Sequence, residues 1–482
     1  MPGTGNTTVP SPEDPPSSSS LAFHGARVVP ALFLMWSHDQ PDRIGQVALF
    51  DPHLAAFFIL GREVVGGPLR VHFHQLRPGA SFDGGPLTGI NISHDQLHIT
   101  VMDGALWVRN IGTPRVLADG TEVPRDSDVL LRPGTVLEVP GNCVLLVGQS
   151  PLSFPPPPAQ LLPLHAIGEA DRIGIVGESW RAQQLRQDTC YAASTGKHVF
   201  VHGPSGTGKE DIARAIHKMS SRSAGPYITA NSASFTAELA ALELFGSPRN
   251  YPNPGTPERV GYFAEAKGGT LLLDEIGEVL TTVQAPLLRA LDGAYNRIGD
   301  PVSRPTGCVV ILATNRGPQS IKHDVLHRLG VTVETPALAE RREDIPLIVR
   351  ALLRRRGHRI EVHTSLIVGL LRSPLAGNVR EVDNILTLAI GTSGAQRPLR
   401  WPSRLSMPPP APLAAPQEPE RQAEPAPPAE VPVPEASDLG KEHLLRVLME
   451  NKYDLKKTAA ALGLSIGQLY RLRQKHGLVW RD

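Results

Sequence analysis

The stretch VFVHGPSGTGKEDIARAIH, residues 199 to 217, constrains this chain more than any other. A short apolar run ends in a loop with glycines at 203, 206 and 208, and a helical pattern follows with Ile212, Ala213 and Ile216. A strand that turns through glycines into an amphipathic helix is half of a strand-helix-strand unit, which calls for a parallel sheet covered by helices. The spacing G-x-x-x-x-G-K also turns backbone N–H groups and a helix N-terminus toward an anion. Gly203, Pro204, Ser205, Gly206, Thr207 and Gly208 are therefore the expected cradle of a phosphate, and Lys209 the cation that reaches its outer oxygens. Glu210 stands where the general pattern has a hydroxyl residue for Mg2+.

Two later apolar runs end in polar residues at the spacing such a site needs. GGTLLLDEIGE (268 to 278) ends in two carboxylates, with Asp274 expected to hold Mg2+ and Glu275 to polarise an attacking water. VVILATN (309 to 315) ends in Thr314 and Asn315, which can sense a terminal phosphate. Together with the loop, these strands predict an α/β core that binds a nucleotide with Mg2+ and hydrolyses it, and the family resemblance that follows implies ATP as that nucleotide.

Over residues 173 to 395 the chain resembles the AAA+ domain of sigma-54-dependent transcription activators, the bacterial enhancer-binding proteins. GPSGTGKE is similar to the family's G-E-S-G-T-G-K-E, in which glutamate follows the lysine. ELFG, GGTLLLDEIGE, LLRAL, ILATN, ERREDIP and GNVREVDN follow in the family's order. The resemblance implies that Asn231 links nucleotide state to Glu275, that Thr314 and Asn315 form a first sensor, and that Arg380 is a second. It also implies a homo-oligomeric ring, usually of six subunits, in which an arginine completes the neighbour's site. IKHDVLHRL (321 to 329) keeps that arginine as Arg328 but has Lys322 in place of a first one. A point charge there replaces a planar fork, so slow turnover is expected.

Proline, 47 of 482 residues, is clustered and marks boundaries. The expected order is a disordered N-terminus (1–24), a β-sandwich (25–150), a Pro-rich linker (151–165), an α/β P-loop subdomain (166–335) and its helical lid (336–396). A Pro/Ala/Glu-rich linker (397–437) and a small all-α helix-turn-helix unit (438–482) follow. Cys143, Cys190 and Cys308 lie far apart with no C-x-x-C pair, which suggests neither a disulfide framework nor a zinc site. No leader pattern and no run near the ~18 apolar residues of a membrane span is present, so a cytoplasmic protein without a membrane partner is expected.

In the first unit, Leu97, Ile99 and Val101 alternate, Asp103-Gly104 supplies a hairpin turn, and Leu106 and Val108 resume the alternation. LGR (60 to 62) and ISHDQLHI (92 to 99) resemble the forkhead-associated (FHA) family, which implies a phosphothreonine protein as partner and puts Arg62 and Ser93 on the phosphate. The family's S-R-x-H is here Ser93-His94-Asp95-Gln96, and a sandwich used only for contacts between domains is the other reading.

The last unit reads as three short amphipathic helices. Leu444, Leu445 and Leu448 share a face, KKTAAALG (456 to 463) stops at a glycine, and Ser465 to Gln468 opens the final helix. Lysines and arginines outnumber acids from 440 on, although the whole chain carries a formal net charge of only +1. This unit resembles the Fis-type DNA-binding domain, which makes Ser465, Ile466, Gly467, Gln468, Arg471 and Arg473 the expected DNA contacts.

A transcription regulator acting on the sigma-54 RNA polymerase holoenzyme follows from these parts, with one departure. NYPNPG (Asn250 to Gly255) occupies the place of the family's G-A-F-T-G-A, so Pro252 stands where the phenylalanine belongs and Asn253 where the threonine belongs. Two prolines fix φ and remove backbone donors from a tip meant to meet a partner. The alternative is an ATP- and DNA-binding regulator that does not contact sigma-54. An AAA+ unfoldase or helicase loader is a third reading, which the basic C-terminal unit disfavours.

Overall fold

The computed structural model of the chain describes residues 27–409 except 56, 63–69, 90–91, 237–238, 277–279 and 394–397, with 447, 458, 459, 461–464 and 469 near the C-terminus. Two compact units divide it, 1–416 and 417–482.

Strand β1 (Val28–Ser37) shows why the first domain folds as it does. Its sequence VVPALFLMWS is apolar at nearly every position, the pattern of a strand covered on both faces. Leu32 and Leu34 enter the core between two sheets, whereas Ala31, Phe33 and Met35 enter a second core on the opposite face. Strand β1 pairs antiparallel with β12 (Cys143–Pro151), with a bulge between Leu34 and Trp36. On β12, Cys143, Leu145 and Val147 face the first core, and Val144 and Leu146 the second.

Around this pair the larger sheet adds β2 (Val47–Leu49), β4 (His74–Arg77), β5 (Ala80–Asp83), β8 (Leu117–Ala118), β9 (Thr121–Glu122) and β11 (Val136–Val139), in the order β5-β4-β2-β1-β12-β11-β8-β9. The second sheet has the order β10-β7-β6-β3, from β3 (Phe57–Leu60), β6 (Leu97–Met102), β7 (Ala105–Asn110) and β10 (Asp128–Leu131). The hairpin read from the sequence pairs Leu97 with Asn110 through Met102 with Ala105, and its buried apolar residues are the alternating Leu97, Ile99, Val101, Leu106 and Val108.

The central unit has a parallel sheet in the order β14-β15-β18-β13-β19. Its strands are β13 (Val199–His202), β14 (Tyr227–Asn231), β15 (Thr270–Asp274), β18 (Val309–Thr314) and β19 (Val331–Glu334), with a small hairpin of β16 (Ala294–Asn296) and β17 (Ser303–Pro305) beside it. Helices α1 (Trp180–Thr195) and α2 (Lys209–Met219) close one face, where Val199, Val201, Leu272 and Ile311 are buried. Helices α3 (Ala240–Phe245), α4 (Tyr262–Glu265) and α5 (Leu280–Leu291) close the other, over Phe200, Leu271, Leu273 and Leu312. Helix α6 (His323–Leu326) follows β18. The lid comprises α7 (Ile345–Arg355), α8 (Thr364–Arg372) and α9 (Asn378–Ser393).

The second core of β1 and β12 is the core of this lid. Leu338, Ile345, Ile348, Val349, Leu366, Ile367 and Leu386 join Phe33, Met35, Val144 and Leu146 in one apolar cluster. Trp36 Nε1 donates to Val362 O at 2.7 Å across the same junction. The segments on either side of the central unit also differ from plain linkers. Phe154 is buried in the core shared by sandwich and lid, and Leu161 in the core over the parallel sheet. The lid runs past the expected end at 396: Leu399 is buried, His363 N donates to Leu399 O at 2.8 Å, and Trp401 packs on Gly369.

In the unit 417–482, Thr458, Ala459 and Leu469 are buried, and Leu464 N donates to Ala459 O at 2.9 Å past Gly463, whose φ is 66°. Ser465, Ile466, Gly467, Gln468, Arg471 and Arg473 lie outside the described residues.

All three cysteines are free and buried, and burial pushes the thiol of Cys143 up to about 12 and those of Cys190 and Cys308 up to about 11. Neutral, inaccessible thiols are poor nucleophiles. Iodoacetamide at pH 8 is expected to leave the folded protein unmodified and to label three thiols after unfolding, as read by intact-mass spectrometry.

Candidate functional site

Parallel register brings the predicted residues together at the carboxyl end of the sheet. Asn231 pairs with Asp274 across β14 and β15, and His202 pairs with Thr314 across β13 and β18. The glycine loop leaves the same end of β13, between β18 and β19, with Gly203, Gly206 and Gly208 at φ of 145°, 79° and 95°. Thr207 Oγ1 donates to Pro204 O at 2.8 Å and shares a 2.7 Å hydrogen bond with Thr335 Oγ1, which ties the loop to the end of β19.

Lys209 opens α2 and is buried under this loop. Its Nζ donates to Gly203 O at 2.9 Å and Pro204 O at 3.1 Å. Desolvation lowers its pKa, as does the charge of Arg380, and Glu275 and Asp274 oppose them. Three charges, two from the end of β15 and one from the lid helix α9, therefore act on one ammonium. Glu275 N donates to Asp274 Oδ1 at 3.0 Å, and Glu275 itself sits at φ 55°. For a non-glycine residue that is an uncommon backbone state, one that clusters at functional sites.

Thr314 is buried, with its Oγ1 accepting from Arg316 N at 3.2 Å, whereas Asn315 and Asn231 are exposed. Glu210 faces away from the loop and pairs with Arg214 at 2.9 Å. Among the described residues no group of three or more His, Cys, Asp and Glu side chains is placed to hold a metal. Asp274 is still an adequate protein ligand for Mg2+, an ion usually held by one or two carboxylates, several waters and the phosphates of its substrate.

The lid grips the loop from above. Asn378 Nδ2 donates to Ser205 O at 2.9 Å, and Val379 N donates to Gly206 O at 3.2 Å. A Cβ on Gly206 would lie 2.3 Å from Gly377 O, so only glycine admits this approach. Arg380 follows on the same turn and lines a cleft of 680 Å3 together with Gly206, Thr207 and Gly208. Ile173, Ile175, Val176, Ile348 and Leu352 form its apolar wall, and Arg341 lies among them. None of these wall residues was legible as a site residue, because they come from two segments some 170 positions apart and carry no motif.

Arg328 is placed differently. Its Nε donates to Asp292 Oδ1 at 2.7 Å and its Nη1 to Asp324 O at 2.8 Å, so within the chain its partners are these and not the phosphate loop. The NYPNPG segment is a closed hairpin at whose base Ser247 and Arg259 exchange two 3.0 Å backbone bonds. Gly255 N donates to Asn250 Oδ1 at 3.0 Å. Tyr251, the one aromatic ring near the tip, is half-buried over Gly299, where an added Cβ would lie 2.2 Å from its ring. Pro252, Asn253, Pro254 and Gly255 are exposed.

In the sandwich, Arg62 and Ser93 line one cleft of 580 Å3 with Thr113 and Arg115. Arg62 N donates to Ser93 O at 3.1 Å, and Thr113 N donates to Ser93 Oγ at 3.1 Å. The Nε of Arg62 is buried and lacks a hydrogen-bond partner among the described residues.

Residues 175–332 match the family model of the sigma-54 interaction domain. The chain is 32% identical over 339 residues to the anaerobic nitric oxide reductase transcription regulator NorR of Klebsiella pneumoniae, which covers 66% of this chain and 65% of that one. It is 36% identical over 234 residues to the transcriptional regulatory protein ZraR of Salmonella typhimurium, covering 46% of this chain and 53% of the relative. The Nif-specific regulatory protein of Bradyrhizobium diazoefficiens is 36% identical over 236 residues, or 46% and 40% of the two chains. The chain thus spans from two fifths to just under two thirds of the length of these relatives. Among solved structures, NtrX from Brucella abortus in complex with ADP is 27% identical at a TM-score of 0.43, covering 63% of this chain and 70% of that one. The matched residues 175–332 are those of the central unit, so the likeness to sigma-54 activators is carried by its parallel sheet and glycine loop.

The junction of sandwich, sheet and lid is polar as well as apolar. Arg77 on β4 donates to Glu178 Oε1 at 2.9 Å, with both side chains buried, and also to the carbonyl of His165. Removing the arginine leaves Glu178 buried beside His165 and Gln183 without its main counter-charge. Arg77→Ala is expected to destabilise the chain by about 3–5 kcal/mol, read as a lowered urea midpoint, whereas Arg109→Ala on an exposed pair with Asp128 is expected to shift it by less than about 1 kcal/mol.

Proposed function

We propose that this chain is an ATP-driven bacterial transcription regulator of the sigma-54 activator type, working as a homo-oligomeric ring anchored to DNA. The convergence of Lys209, Asp274, Glu275, Asn231, Thr314 and Arg380 around one phosphate loop carries the reading. ATP and Mg2+ are the cofactors it implies, the metal lowering the charge on the phosphates when bound. Lys209 exchanges its two carbonyl contacts for phosphate oxygens, a charge-assisted bond stronger than the ones it makes in the chain. Asp274 would hold the metal, and Glu275 would accept a proton from the attacking water. Arg380 brings a positive charge from the lid, so its distance from the loop reports whether a terminal phosphate is present. Arg328 reaches a neighbour's site by exchanging Asp292 for phosphate.

The C-terminal unit is proposed to bind DNA through Gln468, Arg471 and Arg473, on the strength of its basic helix-turn-helix pattern. The first domain is proposed to take a phosphothreonine segment, for which the cleft holding Arg62, Ser93, Thr113 and Arg115 supplies two guanidinium groups and hydroxyls.

A second reading of the output has its own support. Tyr251 packs on Gly299 and leaves two prolines, an asparagine and a glycine as the exposed tip, with no aromatic ring to enter a partner. On this reading the ring turns over ATP without engaging sigma-54.

Lys209→Ala is expected to weaken nucleotide binding by about 10- to 150-fold in a fluorescent-nucleotide titration. Glu275→Gln is expected to keep binding and lose about 10²–10⁴-fold in turnover, measured as released phosphate. Open-complex formation by sigma-54 polymerase with the full chain and ATP decides the output: hydrolysis without promoter opening rejects the first reading and keeps the second. Arg62→Ala is expected to lower affinity for phosphothreonine peptides by roughly 10- to 100-fold, and equal binding by both proteins would reject the phosphate role of the cleft.

A further inference from the structure

His323 and His327 stand four residues apart, the first opening α6 and the second capping it, and both are exposed. Their Nε2 atoms approach to 2.9 Å, with ring centroids 3.9 Å apart and planes inclined at 81°. One Nε2–H donates to the other Nε2, so two ring nitrogens aim at the same small volume instead of at solvent. In water such a bond adds little stability, because each nitrogen finds an equal partner outside. A converging pair of neutral imidazole nitrogens is also a bidentate ligand for a late divalent transition metal.

We propose that His323 and His327 chelate a divalent transition-metal ion of the copper(II) or nickel(II) class on the turn that anchors Arg328. The spacing as it stands fits this class. With metal–nitrogen bonds of about 2.0–2.1 Å, nitrogens 2.9 Å apart subtend an angle of about 90° at the ion, whereas a tetrahedral site needs roughly 3.3 Å. A right angle is the cis pair of a square-planar or tetragonal centre. Seating the ion opens the ring centroids from 3.9 Å to about 4.5 Å, a small swing for two exposed side chains. The imidazole that donates from Nε2 passes to its Nδ1–H tautomer, so both nitrogens offer lone pairs and no proton is lost overall. With no third protein ligand grouped there among the described residues, water completes the coordination.

The position gives the ion a consequence. Asp324, between the two histidines, accepts from Arg328 through its backbone carbonyl at 2.8 Å, and Arg328 in turn holds Asp292. An ion bridging residues 323 and 327 braces the turn that carries this contact. That consequence rests on the proposed role of Arg328, whereas the site itself does not.

The test uses the full chain purified without a polyhistidine tag and titrated with copper(II) alone, with no nucleotide. Calorimetry is expected to show one tight site per chain, and electron paramagnetic resonance an axial signal split by two nitrogens. His323→Ala and His327→Ala, each matched to wild type by circular dichroism, are expected to lose on the order of 100-fold in affinity as chelation is lost. The double variant His72→Ala/His74→Ala removes a wider pair, 6.4 Å between ring centroids with His72 held by Asp83 at 2.8 Å, and is expected to leave the tight site unchanged. Wild-type affinity in His327→Ala, a single-nitrogen signal, or loss of the tight site in the His72/His74 variant would each overturn the proposal. Because no nucleotide enters, failure here is distinct from failure of the ATPase reading.

Discussion

The carboxylate of Asp344 is the joint on which the architecture depends. It accepts from Glu178 N at 2.8 Å, from Ser179 N at 2.9 Å and from Ser179 Oγ at 2.5 Å, so the first residue before the lid helix α7 holds the root of α1. A Cβ on Gly177 would lie 2.4 Å from Asp344 Cγ, which is why the chain passes the joint as glycine, at φ 126°. Burial pushes the pKa of Asp344 upward, and Arg341 together with these donors opposes that. One residue further on, Glu178 receives Arg77 from the sandwich. Sheet, lid and sandwich thus meet at neighbouring buried charges, each of which would be costly without the other's element in place.

This joint sets the walls of the cleft beside the glycine loop. The strap 168–176 and the lid helix α7 face each other across it, and both are anchored at residues 177–179 and 344. Arg186, buried on α1, binds Asp171 at 2.6 Å and so fixes the strap to the same helix. Asn378 and Val379 hold the glycine loop from the lid side. The lid therefore shares its anchoring contacts with the sandwich, so a change in lid angle over the glycine loop would also disturb the contacts that hold the first domain.

The NYPNPG hairpin shows how sequence and structure inform each other. The two prolines and the displaced aromatic were legible as a departure from the family's tip. Whether Tyr251 could stand in for the missing ring was not, since that depends on Gly299, nearly fifty residues away, offering a flat surface. Gly246 and Gly261 at the hairpin base pass within contact of each other, where a Cβ on Gly261 would lie 2.4 Å from Gly246 N. That crossing projects the tip and explains glycines that the sequence leaves unaccounted for.

Local chemistry made much of this protein readable in advance. Glycine spacing before Lys209, the acidic pair after Leu273 and the alternation from Leu97 to Val108 each state a backbone conformation within a few residues, so the phosphate loop, strand ends and hairpin followed from sequence alone. The continuous apolar run of β1 is covered on both faces in the fold. What covers the second face is a lid more than three hundred residues later, and only tertiary packing chose it. The cleft wall of Ile173, Ile175, Val176 and Leu352, the pairing of Arg328 with Asp292 and the approach of His323 to His327 are of the same kind. They are contacts between ordinary residues whose meaning lies in distance, and distance between remote or rotatable groups is decided by the fold, not by the order of the chain.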